Sequence, residues 1–325
     1  MAQDVGMPVR PDLAEWMRRV EERLSDVAVA QSPFVTETAH HVLAAGGKRL
    51  RPLLVALTAE LGNGPLDDRA DVAALVVELT HVASLYHDDV MDEAVLRRGV
   101  DSANVRYGNS VAILTGDYLF ARASSLVATL GPAYVGRQAD TFARMVQGQI
   151  AEYRGAQPGE DDMRHYLGVL SDKTAALIAT AAVFGGMVAG LDEPMLQRLD
   201  RFGEALGMAF QLHDDLLDIT SDSAGKRPGT DLRQGVATLP LLLLRRSDDQ
   251  SDKTLAASID KNMSDADVKA TVAALRAHPV IDEARTVIAR YADEAESELS
   301  GLPAGPAKDS LVTLVAGVTG RVRAG

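Results

Sequence analysis

Four times in 325 residues the chain spells Asp-Asp-x-x-Asp, and two of the four stand where divalent-metal chemistry would need them. Asp88, Asp89 and Asp92 close the run SLYHDDVMD; Asp214, Asp215 and Asp218 close AFQLHDDLLD. On a helix, residues four apart lie one above the other, so Asp88 stacks with Asp92 and Asp214 with Asp218, with Asp89 and Asp215 alongside. Stacked like charges destabilise a helix by roughly 0.2–0.5 kcal/mol unless a cation binds them. Hard cations take oxygen ligands, and Mg2+ is usually held by one or two carboxylates completed by substrate phosphates. His81, one heptad before Asp88, shares roughly that face. The other two matches have structural explanations. Asp67–Asp71 follows GNGPL and opens a helix, where acids cap and complement the dipole. Asp248–Asp252 sits in the polar loop RRSDDQSDK.

Basic residues separate a redox metal from a phosphate-bridged one. Lys48, Arg49 and Arg51 follow a double glycine; Arg97 and Arg98 follow the first acidic motif; Lys173 heads an apolar run; Lys226 and Arg227 lie in a glycine-containing loop after the second motif. Guanidinium forks fit phosphate oxygens in pairs and lysine supplies a point charge. Each cluster alone has a bland explanation: Arg97 and Arg98 could pair with Asp92 and Glu93, and Lys48 could cap a helix. Beside two magnesium-type platforms they point to diphosphates, and their division into groups before and after the platforms points to two. A di-iron centre would need Glu-x-x-His pairs; Glu78-Leu79-Thr80-His81 supplies one and a second is missing.

The elements that must position these groups are helices. Apolar periodicity predicts helices over 11–30, 33–43, 48–61, 68–93, 110–130, 133–153, 163–189 and 193–219. Another begins at 238–244, and two or three more follow from 252 with breaks at Pro279 and Pro303. Strand-like alternation is scarce and no internal linker stands out. The expectation is one all-α domain over 1–325, a helical bundle around a central cavity, with 1–30 and 251–325 as its N-terminal and C-terminal helical regions.

Composition sets further bounds. The chain is 46% hydrophobic, enough for a sizeable core, and has no cysteine, which excludes disulfides and thiolate sites. A net charge of −13 argues against a nucleic-acid partner. The N-terminal stretch MAQDVGMPVRPDLAEW lacks the apolar core of a signal peptide. The uncharged run 174–191 is long enough to span a membrane, but its Ala, Gly and Thr content suits a closely packed buried helix. The expected compartment is the cytoplasm, with at most peripheral membrane contact.

The chain resembles the trans-isoprenyl diphosphate synthases, or polyprenyl synthetases, from GGKRLRP at 46–52 to GTDLRQGVATLP at 229–240. The set is specific: GGKRLRP, ExxHxASLxHDDxxD, RRG, KT, the second aspartate motif and GKxxGTD, in order. The resemblance implies that Mg2+, with Mn2+ able to substitute, bridges both motifs to an allylic diphosphate. It implies Asp88, Asp92 and Asp214 as ligands with Asp89, Asp215 and Asp218 in support. It implies Lys48, Arg51, His81 and Arg98 on isopentenyl diphosphate, and Arg97, Lys173 and Lys226 on the allylic diphosphate. Thr174 and Gln211 would face the developing carbocation, and the enzyme would be a homodimer. Three positions depart from the family's habit: Val236 where lysine is frequent, Leu212-His213 where a more apolar pair is common, and Gln149 where many members have Glu.

The implied reaction is head-to-tail elongation, with charge stabilisation of the leaving diphosphate and a dry wall around the allylic cation. In the family the residue five before the first aspartate is the usual floor for the growing chain, and bulky aromatics there stop short products. Ala83 and Ser84 are small, so a long-chain product is expected, with Met145 or Phe142 as candidates for a deeper floor. Farnesyl or geranylgeranyl synthesis, a terpene cyclase, and the non-catalytic partner of a heteromeric synthase are the alternatives. A cyclase needs no isopentenyl pocket, and a regulatory partner would be expected to have lost aspartates or arginines that this chain keeps.

Overall fold

The helix carrying the first motif, α4 (Asp68–Met91), is apolar all round rather than along one stripe: residues 70–80 are all buried, the pattern of a helix at the centre of a bundle. The structure, a computed structural model, describes residues 10–62, 64–221, 229–260 and 262–320. Asp67 caps α4 by accepting from the amides of Arg69 and Ala70, so that aspartate triplet is structural, as expected.

Ahead of α4 come α1 (Pro11–Val27), α2 (Pro33–Ala44) and α3 (Leu50–Ala59). α1 lays Leu13, Trp16, Met17, Val20 and Leu24 on the core, and its Trp16 indole donates to the buried Asp71 carboxylate at 2.7 Å. Arg19 and Arg23 complete that pairing, so Asp71 is neutralised at the N-terminal end of α4. After α4 a two-residue ladder, β1 (Leu96–Arg97) with β2 (Val100–Asp101), pairs Leu96 with Asp101 and Arg97 with Val100. Its turn residues Arg98 and Gly99 both have positive φ, the geometry of a tight hairpin that alternation over so few residues does not announce.

There follow α5 (Ala103–Tyr107), α6 (Asn109–Leu130), α7 (Pro132–Arg154) and α8 (Asp162–Leu170). α8 runs through a π-helical turn (Ser171–Ala175) into α9 (Ala176–Val188), so the single helix expected over 163–189 carries one wide turn inside it. α9 is buried from Ala176 to Gly186, in line with the reading of 174–191 as core, although α6 and the α8–α9 segment are each long and apolar enough to cross a membrane. Gly185 allows α9 to touch α3: a Cβ there would lie 2.0 Å from Thr58 Oγ1. α10 (Glu193–Thr220) packs on α9 and carries the second motif at its C-terminal end. The chain then forms α11 (Thr230–Gln234), α12 (Leu239–Arg246), α13 (Gln250–Ala257), α14 (Asp265–Arg276), α15 (Val280–Leu299) and α16 (Pro306–Val318).

The core has a larger cluster around α3, α4, α6 and α9 and a smaller one joining the end of α10 to α12–α15. The all-α bundle expected from periodicity is present, with the short hairpin as its strand content among the described residues.

Candidate active site at the ends of two core helices

Both motifs sit at helix C-termini. Asp88 and Asp89 lie in the last turn of α4 with Asp92 as its cap residue, and Asp218 lies in the last turn of α10. The carbonyl end of a helix carries partial negative charge, so each such carboxylate works against the dipole by about 0.3–1 kcal/mol. A bound cation would offset that cost.

Asp88 is pushed up to about 6, by burial first; Lys173 and Arg97 pull it down, while Asp92 and Glu152 push it up. Asp215 also rises to about 6 through burial, against hydrogen bonds from Tyr166 Oη at 2.6 Å and Gln211 Nε2 at 2.8 Å. The Glu152 charge of α7 raises both Asp88 and Asp215, so it is felt by both motifs. Lys173 is paired with it, and the acidic surroundings hold the ammonium charged despite burial. Lys48 reaches Asp214 at 3.5 Å and sits 5.1 Å over the Phe210 ring. The GGKRLRP segment and the second motif, far apart in the chain, therefore meet.

A second positive cluster lies beside α4. His81 is held well below the imidazole range by burial and by the guanidinium groups of Arg51, Arg98, Arg49 and Arg97, so it is neutral at pH 7. Arg51 is lowered to about 10 by burial, then by Arg98, against the pull of Glu78; its Nε has no partner among the described residues. Arg98 donates to the carbonyls of Gly46 and Val42, and its guanidinium lies against Gly47, where a Cβ would come within 2.9 Å. The double glycine thus admits Arg98.

Several expectations change. Arg49, grouped by sequence with the phosphate-binding cations, is turned inward: it is buried and bound to Glu21 and Glu78 at 2.7 Å each. Its backbone is left-handed (φ 51°). Arg97 pairs neither with Asp92 nor with Glu93 but with Asp89, whose buried carboxylate accepts from Arg97 Nε at 2.7 Å. Asp89 therefore braces an arginine, with its other oxygen unpartnered. Asp218 accepts the amide of Asp231 and ties down the segment after α10. Thr174 donates to Gln211 at 3.2 Å, so the two side chains expected beside the cation are joined. Ala83 is fully buried where α6 presses on α4, while Ser84 is half-buried. Lys226 and Arg227 lie outside the described residues.

Sequence reasoning did not single out Glu152, Tyr166 or Asp231. Asp231 stands near the second motif, raised to about 7 by burial and by Asp218, Asp215 and Asp214. Its signal was the GTD triplet at 229–231. Glu152 and Tyr166 belong to no acidic run, and only the packing of α7 and α8 brings them in. Val236 is exposed, its amide bound to the Asp231 carbonyl.

Could these residues hold a divalent cation? Among the described residues no three carboxylates or imidazoles converge into a closed cage. The donors are hard oxygens on open platforms, which suits a cation whose remaining ligands come from a bound phosphate.

A family model described as Polyprenyl synthetase matches residues 32–275. The chain belongs to the polyprenyl synthetase family. This polyprenyl synthetase is 45% identical to nonaprenyl diphosphate synthase of Mycobacterium tuberculosis, over 90% of this chain and 89% of that protein. It is 37% identical to heptaprenyl diphosphate synthase component 2 of Geobacillus stearothermophilus, over 92% and 93%. Among solved structures, geranylgeranyl pyrophosphate synthase of Corynebacterium glutamicum, complexed with calcium and isoprenyl diphosphate, superposes with a TM-score of 0.85 at 39% identity, covering 95% of this chain and 96% of that one. The fold and the prenyl-transferring class of enzyme expected from the sequence both hold.

Proposed function

We propose that this synthase condenses isopentenyl diphosphate with an allylic diphosphate, head to tail and with trans geometry, to give a long-chain polyprenyl diphosphate. The observation that carries it is the division of positive charge: Arg51, Arg98 and neutral His81 form one cluster beside α4, and Lys173 stands separately beside Asp88 and Glu152 at the first acidic motif. Two such places suit two diphosphates. Isopentenyl diphosphate would occupy the first with Lys48 at its rim; the allylic diphosphate would meet Lys173, Arg97 and Lys226. Asp88, Asp92 and Asp214, supported by Asp89, Asp215 and Asp218, would hold Mg2+, for which Mn2+ can substitute. A cation bound there supplies charge stabilisation of the diphosphate as it leaves.

The residues of the chain then have distinct tasks. Lys173 offsets charge on the departing diphosphate. The joined Thr174 and Gln211 present oxygen atoms to the allylic cation, and the buried face of α9 keeps water away. The double bond of isopentenyl diphosphate forms the new carbon–carbon bond, and the proton it releases passes to the departed diphosphate, so no protein base is required.

The test is incubation with farnesyl diphosphate, labelled isopentenyl diphosphate and Mg2+. Elongated diphosphates support the proposal, a cyclised hydrocarbon would mean a terpene cyclase, and no turnover of any primer would mean a non-catalytic subunit.

We further propose one all-α domain acting as a cytoplasmic homodimer. Ile113 and Leu114 on α6, with Val146, Ile150 and Tyr153 on α7, are exposed large apolar side chains, Tyr153 at 80%. Exposed apolar side chains on two neighbouring helices would suit an interface, and symmetric dimers are the commonest oligomers. Light scattering should give a particle of about twice the 34.6 kDa chain; a monomer at micromolar concentration would refute it.

A further inference from the structure

The π-helical turn Ser171–Ala175 holds Lys173 and Thr174, and it is gripped from α7 by residues that recur every four positions. Glu152 pairs with Lys173 Nζ. Gly148 leaves room for the turn itself, since a Cβ there would lie 2.7 Å from the Lys173 amide nitrogen. Arg144, one turn further from the site, donates to Asp172 at 3.0 Å, Ser171 Oγ at 3.1 Å and Glu204 of α10 at 2.5 Å. One guanidinium thus joins three segments at the start of the turn. At its end Gly207 of α10 touches Ala175, where a Cβ would lie 2.6 Å from Ala175 Cα.

π turns are rare, occur mostly as single bulges inside α-helices, and gather at functional sites. Relaxing the bulge to regular helix would change the register by one residue, about 100° of rotation and 1.5 Å of rise. Lys173 and Thr174 would not both keep their present direction through such a change.

We propose that Arg144 is a positioning residue that locks the π turn through Asp172, Ser171 and Glu204, so that Lys173 and Thr174 face the allylic diphosphate. This rests on the proposed function, but its test reads binding as well as turnover. Arg144→Ala is expected to lower kcat at least tenfold and to weaken binding of magnesium pyrophosphate, measured by calorimetry, by a similar factor. Arg144→Lys should restore only part, because a single ammonium cannot span three acceptors as a planar fork does. In a Lys173→Ala background, Arg144→Ala should cost less than in wild type, since one of the two side chains it positions is already gone.

Full activity and affinity in Arg144→Ala would overturn the proposal. So would a loss equally large in the Lys173→Ala background, or one that follows a fall in melting temperature and is unrelieved by Arg144→Lys. If wild type elongates no primer, the proposed function fails, and the pyrophosphate affinities still decide whether Arg144 acts through Lys173.

Discussion

Asp88→Ala and Asp214→Ala are each expected to reduce prenyl-transfer turnover by at least about 100-fold, the scale seen when one charge-stabilising group is removed from a reacting centre. The folded state should survive, since both side chains are partly open to solvent and Asp88, in the last turn of α4, stands against the helix dipole. Asp67→Ala and Asp248→Ala are the controls. Asp67 is a helix cap, so its loss should cost about 1 kcal/mol of stability and little turnover. Asp248 is exposed in the loop before α13. Steady-state rates at saturating Mg2+ decide the matter, and wild-type rates in either motif mutant would refute the assignment. A pH dependence goes with it. Asp88 is raised to about 6, so it binds a proton as pH falls through that value. Metal binding needs the deprotonated form. Cation affinity should therefore be full above about pH 7 and weaken progressively below 6, and Asp88→Asn should flatten that slope.

Ser84→Phe is expected to convert a long-chain product into one of farnesyl or geranylgeranyl length, read by chromatography of the dephosphorylated products. Ser84 lies four residues before Asp88, about 6 Å down the helix. It is half-buried, so an aromatic ring there can project into the space between helices. Ala83→Phe should also shorten the product but with a fold penalty of about 1–3 kcal/mol, because Ala83 is fully buried where α6 presses on α4. Deeper, Gln138 of α7 donates to Thr80 at 3.2 Å, and Phe142 stacks on Phe120 with ring centres 3.9 Å apart. A wild type that already stops at farnesyl diphosphate, or bulky variants that leave the product unchanged, would refute the open path past Ser84.

Much of this was visible in the sequence because the decisive signals are local. The acidic motifs gain meaning from the apolar runs before them, and α4 and α10 bear that out. The rest depends on contacts between distant residues. Arg49 and Arg51 are two positions apart, yet one is bound to Glu21 and the buried Glu78 while the other keeps an unpartnered Nε beside Arg98 and His81; Arg49 has left-handed backbone, which composition does not encode. Asp89 and Asp88 are neighbours, but helical phase turns one toward Arg97 and the other toward Lys173. The π turn is hidden because its apolar surroundings read as one continuous helix. Glu152 and Tyr166 enter only when α7 and α8 fold against the ends of α4 and α10.

Trp16, the chain's one tryptophan, is anchored to Asp71 near the start of α4, about 25 Å along that helix from Asp88. Its emission therefore monitors the seating of the N-terminal helix and should be largely silent to occupation of the diphosphate pockets. In a denaturant titration, fluorescence and far-ultraviolet circular dichroism can be compared directly. Coincident curves would mean that α1 and the bundle unfold as one cooperative unit, whereas an earlier fluorescence transition would show α1 peeling away while the core persists.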